Sequence, residues 1–153
     1  MNLTTNCYEY MFSGSTGLKS IPEGLLPATT LAEGCYARMF FRCLGLSRVP
    51  KGLLPATTLA KSCYAEMFLG CLALMEVPDL PATTLADGCY NNMFRGCKNL
   101  ISVYFYGREM GSYCTNGFLK GVPTTGKFYY YYEYLQVLRG DDGIPDNWTA
   151  IKK

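Results

Sequence analysis

The chain has 153 residues, a net charge of +2 and 49% apolar residues, and it contains no histidine. This length allows one domain or one repeat array with a cap, and weak charge without a basic run argues against a nucleic-acid partner. Histidine is the commonest general base and metal ligand, so its absence argues against an enzyme and against a metal site. We therefore expect no catalytic residues, no metal and no cofactor.

No stretch approaches the roughly 20 apolar residues that a helix needs to cross a bilayer, so we expect no membrane insertion. The N-terminal residues show neither the basic region nor the apolar region of a signal peptide.

One motif recurs at residues 26–40, 54–68 and 80–94, with a partial copy at 3–12. Its equivalent cysteines, at intervals of 28, 28 and 26 residues, are Cys7, Cys35, Cys63 and Cys89. A fixed period of this length is typical of arrays in which each unit buries its apolar face against the next, and it lies in the leucine-rich-repeat range. We predict repeats over 1–103, the first truncated, and a cap over 104–153.

Each unit is predicted to contain a short helix and a short strand. Thr58 has the character of a helix N-cap, and apolar residues then recur every fourth position, as expected for one helical stripe. Gly70 suits the end of that helix. The following residues, 74–78, predict a short extended segment stopped by Pro78, with counterparts at 18–22, 46–50 and 100–103. The predicted fold class is α/β, with short parallel strands on one side and short helices on the other.

The repeated motif resembles that of a known protein family. The pattern Met-Phe-x-Gly-Cys-x-x-Leu-x-x-x-Pro over 67–78, and the phrase Leu-Pro-Ala-Thr-Thr-Leu-Ala, are similar to BspA-like leucine-rich repeats. The resemblance covers about residues 3–103. It implies a curved solenoid used for adhesion or binding, on the surface of Bacteroides-type bacteria or secreted by them, and it implies no catalytic residues.

The cap is predicted to be β-rich and aromatic. Residues 128–135 predict a strand, in which Tyr129 and Tyr131 lie on one face and Phe128 and Tyr130 on the other. One face closes the core, and the other either exposes aromatic surface for binding or is itself covered. Trp148 is expected to anchor the final segment.

The eight cysteines leave three interpretations open: a ladder of buried thiols, disulfides between repeats, or a metal site. The seven-residue gaps within the pairs do not match zinc-site spacing, so the ladder is favoured. Arg139-Gly140-Asp141 matches an integrin-binding tripeptide, but the same residues are ordinary turn chemistry.

The variable positions of successive strands predict a binding surface that includes Arg48, Glu76 and Ser102, to which Tyr129 and Tyr131 are added from the cap. The first functional hypothesis is a non-enzymatic binding or adhesion module for a host protein or glycan. The alternative is a structural component, such as part of a phage or cell-envelope appendage, that forms homo-oligomers through its open N-terminal repeat end.

Overall fold

The computed structural model describes residues 3–153. Its regular elements are three short strands and two 3-10 turns, namely β1 (Ser102–Phe105), β2 (Lys127–Tyr130), β3 (Thr149–Lys152), Lys51–Leu53 and Gly140–Asp142. The strands form one parallel sheet in the order β1-β2-β3. Ser102 pairs with Lys127, and Lys127 pairs with Thr149.

The helix predicted to begin at Thr58 and end near Gly70 is wrong, because no α-helix occurs between residues 3 and 153. This segment and its equivalents form runs of overlapping turns, here called coil 1 (6–14), coil 2 (34–42), coil 3 (62–70) and coil 4 (88–96). In coil 3 every fourth residue has a positive φ: 52° at Ser62, 56° at Glu66 and 72° at Gly70. A right-handed helix cannot continue through that conformation. Thr58 caps no helix and instead forms a parallel bridge with Thr84.

The coils are joined by backbone hydrogen bonds that all run in one direction. Alternate backbone N–H groups donate to the following coil: Tyr36 to the Cys63 carbonyl at 3.0 Å, and Phe40 to the Met67 carbonyl at 3.0 Å. The N–H groups between them donate within the coil, three residues back, as Met39 does to Tyr36. Each coil thus offers N–H groups on one side and carbonyls on the other, and its neighbours satisfy both.

The core consists of columns of equivalent side chains. One column stacks tyrosine rings and the other phenylalanine rings, with centroids 5.5–6.3 Å apart: Tyr8, Tyr36, Tyr64 and Tyr90, and Phe12, Phe40, Phe68 and Phe94. Buried leucines such as Leu46, Leu74 and Leu100 belong to the same core. Equivalent residues of successive copies therefore pack on one another in sequence order.

The strands predicted at 18–22, 46–50 and 74–78 are reduced to single paired residues. Ser20 pairs with Arg48, and Glu76 pairs with Ser102, each as an isolated parallel bridge. A full ladder begins only at β1, where Tyr104-Phe105 replaces the proline found at the end of the earlier segments. Proline cannot donate to a ladder, which explains why the earlier segments pair so briefly.

The C-terminal part continues the stack. The predicted boundary at 103/104 falls inside β1, and the predicted strand 128–135 is confined to Lys127–Tyr130. Coil 4 donates its N–H groups to carbonyls between Tyr113 and Lys120. Trp148 is 2% exposed, and its indole Nε1 donates to the Pro123 carbonyl at 2.8 Å.

Candidate functional site

The paired positions form one row along the side of the molecule that carries the strands, here called the strand face. From the N-terminal end, this row contains Ser20, Arg48, Glu76, Ser102, Lys127 and Thr149. Backbone pairing fixes the spacing of Ser102, Lys127 and Thr149, since parallel strands lie about 4.8 Å apart. All six side chains are polar, three of them charged and three with hydroxyl groups, and all are exposed except the half-buried Ser102.

Two shallow grooves lie on this face and meet at Ile101. The first, of about 510 Å³, is lined by Arg48 and Glu76 together with Ser20, Glu23 and Met75. Met75 is 52% exposed and Ile101 is 48% exposed. Exposed apolar side chains rimmed by charges are a feature of interaction surfaces.

The second groove, of about 580 Å³, lies over β1 and β2. Ser102, Tyr104, Lys127 and Tyr129 line it, with Asn147 among the residues of its far side. Its polar groups are hydroxyls, an amide and one ammonium, and its aromatic groups are two tyrosines. This combination can hydrogen bond to a polar ligand and also pack against an apolar one.

Tyrosines from β1 and β2 stack in pairs across the sheet. Tyr104 and Tyr129 have ring centroids 4.5 Å apart, and Tyr106 and Tyr131 have centroids 4.0 Å apart. A hydrogen bond with the Tyr131 hydroxyl, together with burial, raises the pKa of Tyr106 to about 12.

Lysines cover the outer sides of the first tyrosine pair. The Lys51 ammonium lies 5.1 Å from the Tyr104 ring centroid, and the Lys153 ammonium lies 4.9 Å from that of Tyr129. These are cation–π contacts, each worth on the order of 0.5–1 kcal/mol at exposed sites. The edges of Tyr104 and Tyr129, and not their faces, are thus available to a ligand.

The structure places the five predicted surface residues in three settings. Arg48 and Glu76 lie together in the first groove, and Ser102 and Tyr129 lie together in the second. Tyr131 is 38% exposed and lies against Tyr106, outside the lining of both grooves.

Sequence reasoning missed three residues at or beside these grooves: Tyr104 and Lys127, which line the second groove, and Tyr106, which stacks on Tyr131. The alternation of Tyr104-Phe105-Tyr106 was a signal for the tyrosines, because it places them on one side of β1 opposite the buried Phe105.

The thiols of Cys35 to Cys114 are buried, Cys7 is exposed, and all eight are free. Each of Cys43, Cys71 and Cys97 donates its thiol to a carbonyl of the preceding coil, those of Phe12, Phe40 and Phe68. Burial raises the pKa of the Cys35 thiol to about 11 and those of Cys89 and Cys97 to about 12. A thiol that keeps its proton is a poor nucleophile.

Both charged side chains of the Arg139-Gly140-Asp141 tripeptide make contacts within the protein. One guanidinium nitrogen of Arg139 donates to the carbonyls of Pro145, Asp146 and Trp148 at 2.7–3.0 Å. Asp141 pairs with Lys120 at 3.1 Å. Both charged ends of the tripeptide hold the C-terminal segment in place, which supports the interpretation as turn chemistry.

Between residues 3 and 153, no three histidine, cysteine or acidic side chains come together in a way that could hold a metal ion. Within the same residues, no helix is long and apolar enough to span a bilayer. No protein-family model matches the chain, and neither curated proteins nor solved structures show significant similarity to it.

Proposed function

We propose that the protein is a non-enzymatic binding module of leucine-rich-repeat type, which displays its strand face to a protein or glycan ligand. The observation that carries the proposal is the pair of adjoining grooves that share the exposed Ile101. The first groove offers charges of both signs, and the second offers tyrosine edges and hydroxyls. A ligand that spans both would meet apolar, aromatic and polar groups in one continuous surface.

Rigidity supports this proposal. The coils are held by hydrogen bonds between every alternate residue and by stacked rings, so the strand-face side chains project from a fixed backbone. A preformed surface loses less conformational entropy when it binds. The strand face is small, however, and we expect affinities typical of weak or transient contacts.

The chemistry of the chain favours binding over catalysis. It has no histidine to act as a base, and the buried thiols have raised pKa values that keep them protonated. The resemblance to BspA-like repeats agrees with a cell-surface or secreted adhesion role, and we include that location in the proposal.

The proposal is tested by probing glycan and matrix-protein arrays with the full chain, followed by affinity measurements on any ligand found. Ile101→Asp places a charge where the grooves meet, and we expect at least a tenfold loss of affinity. The matched control is Glu33→Gln, which changes one exposed charge on the opposite, coil side of the molecule. An absence of binding on both arrays, or equal binding by the two variants, would contradict the proposal.

A second candidate function is assembly through the N-terminal end of the stack. A small apolar groove of about 180 Å³ opens there, lined by Tyr8, Phe12 and Leu25 among others. Beside it Met11 is 56% exposed and Tyr10 is 49% exposed. Sedimentation across a range of concentrations, with Met11→Asp as the variant, tests this candidate; a monomer at every concentration would exclude self-assembly.

A further inference from the structure

The second tyrosine pair brings two phenol rings from separate segments of the chain into face-to-face contact. Tyr106 and Tyr131 are 25 residues apart in sequence, and each directly follows one member of the register pair Phe105 and Tyr130. Their ring centroids are 4.0 Å apart and their planes differ by 7°. Aromatic pairs in proteins usually have centroids roughly 4.5–7 Å apart, so the carbons of these two rings lie close to van der Waals contact.

The backbone on both sides of the pair holds this contact in place. The Tyr106 N–H donates to the Leu80 carbonyl at 3.1 Å, and the Tyr130 carbonyl accepts from the Lys153 N–H at 2.9 Å. Parallel strands in register project equivalent side chains in the same direction. The Tyr106 hydroxyl is accordingly hydrogen-bonded with that of Tyr131. The ring carbons next to the two hydroxyl groups therefore lie side by side.

This arrangement suits the oxidative coupling of two phenols. We propose that Tyr106 and Tyr131 are a modification site, at which a peroxidase with hydrogen peroxide joins them as a covalent dityrosine. Each phenol loses one electron and its hydroxyl proton, and the two radicals join through the ring carbons next to the hydroxyl groups. The hydrogens on those carbons then move to the phenolic oxygens, which restores both aromatic rings. One hydrogen peroxide takes up the two electrons and two protons and becomes two water molecules.

The surrounding charges favour coupling at this pair over the first tyrosine pair. The first pair lies between the ammonium groups of Lys51 and Lys153, which are 5.1 and 4.9 Å from its ring centroids. Positive charges oppose the removal of an electron. The pKa of Tyr106 is raised by its hydrogen bond with Tyr131, by burial and, more weakly, by the Asp79 carboxylate, so a negative charge lies near this ring. A nearby negative charge favours the loss of an electron.

The new bond would join the ends of β1 and β2 and close a loop of 25 residues. Closing such a loop restricts the unfolded chain, so the modified protein should unfold at a higher urea concentration than the unmodified protein. Neither ring lines either groove of the strand face. The modification is therefore independent of the ligand binding proposed above.

The test treats the dilute full chain with a peroxidase and hydrogen peroxide, after the exposed thiol of Cys7 has been alkylated. We expect a monomer that has lost two hydrogen atoms and has the fluorescence of dityrosine, in a yield that does not depend on protein concentration. Trypsin should then release residues 99–108 covalently joined to 128–139. The same treatment in denaturing urea should give at least tenfold less product, because the unfolded chain does not hold the rings together.

Two variants that each keep the stacked ring separate this pair from its neighbour. Tyr106→Phe should lower the yield at least tenfold, and the matched control Tyr104→Phe should retain the product. Equal yields from the two variants, or a product confined to dimers that increase with concentration, would overturn the proposal. So would coupling through Tyr134, which is 76% exposed but meets Tyr132 edge-on at 5.9 Å. Recovery of the unmodified chain, while free tyrosine is coupled in a parallel reaction, would also overturn it.

Discussion

Arg38 and Glu66 occupy equivalent turns of neighbouring coils, both with positive φ, and their side chains form a two-pronged ion pair. The guanidinium Nε and Nη2 donate to the two Glu66 carboxylate oxygens at 3.0 and 2.9 Å, while Nη1 donates to Glu9 on the other side at 3.1 Å. The hydrogen bond to Glu66 is the main reason that the Arg38 pKa is raised. Three successive coils are thereby tied together on the coil side of the molecule.

This pair is expected to contribute modestly to stability. A double-mutant cycle with Arg38→Gln and Glu66→Gln should give a coupling free energy of about 0.5–1 kcal/mol, because the side chains are 34% and 24% exposed and partly screened. Urea unfolding at low and high salt measures it. The comparison pair is Lys61–Glu33, at 3.5 Å and mostly exposed, for which we expect a coupling near zero. Equal couplings for the two pairs would argue against the geometry described.

The left-handed positions of the coils predict opposite effects of glycine and alanine. Ser62 has φ 52°, and its counterparts in coils 2 and 4 are Gly34 and Gly88. Ser62→Gly should stabilise the protein by about 0.5–1 kcal/mol, since glycine accepts this conformation without strain. Gly34→Ala should destabilise it by more than 1 kcal/mol, because a Cβ there would also collide with the Asn6 side chain. Thermal unfolding of both variants checks the signs, and stabilisation by Gly34→Ala would contradict the turn structure.

The phenylalanine column predicts a difference between inner and outer rings. Phe68 is fully buried between Phe40 and Phe94, at centroid distances of 5.5 and 5.8 Å. Phe68→Ala should cost about 3–5 kcal/mol of unfolding free energy, the usual range for a large buried aromatic. Phe12 has one neighbour in the column and is half-buried, so Phe12→Ala should cost about half as much. Chemical denaturation measures both, and equal losses would show that the column does not end at coil 1.

The buried thiols predict a loss of stability at alkaline pH. Their neutral form is favoured in the folded state, where the pKa of Cys89 is about 12 against an ordinary value of 9.0. The stabilisation from keeping this proton is complete below pH 9.0 and is lost as the pH rises toward the folded-state pKa of about 12. Between those two pH values, such a thiol lowers the free energy of unfolding by about 1.4 kcal/mol per pH unit. Urea unfolding between pH 7 and 10.5 measures the slope.

The matched variant for this prediction is Cys89→Ala, which removes one titrating thiol and should make the alkaline slope shallower. At pH 8 a thiol reagent should modify Cys7 rapidly and the seven buried cysteines only upon unfolding. Stability that stays level through pH 10.5, or fast modification of several thiols in the folded protein, would contradict the buried ladder.

The sequence identified the repeat register, because equivalent residues such as Cys35 and Cys63 do lie one above the other. The predicted helix was wrong, because apolar residues at every fourth position fit one stripe of a helix and a run of four-residue turns equally well. The distinguishing signal was glycine: Gly88 and Gly96 stand eight residues apart in coil 4, and Gly34 and Gly70 occupy the equivalent positions of coils 2 and 3, all with positive φ.

For the proposed binding surface, the positions of Arg48, Glu76 and Ser102 followed from the repeat, because equivalent residues of successive units occupy equivalent places on the strand side. The positions of the neighbouring tyrosines could not be predicted from the repeat, because Tyr104 and Tyr106 stand where the earlier units have proline or no counterpart. Which tyrosines pair depends on the register of β1 and β2, and that register is set by the fold of the whole C-terminal segment.

Backbone hydrogen bonds join each coil to the next, and NMR detects such bonds directly through scalar couplings across them. We expect a coupling between the amide nitrogen of Tyr36 and the carbonyl carbon of Cys63, and another between Tyr64 and Cys89. Couplings between residues four apart within 58–71, such as Cys63 to Leu59, would instead show the helix that the spacing first predicted, and would contradict the stacked coils.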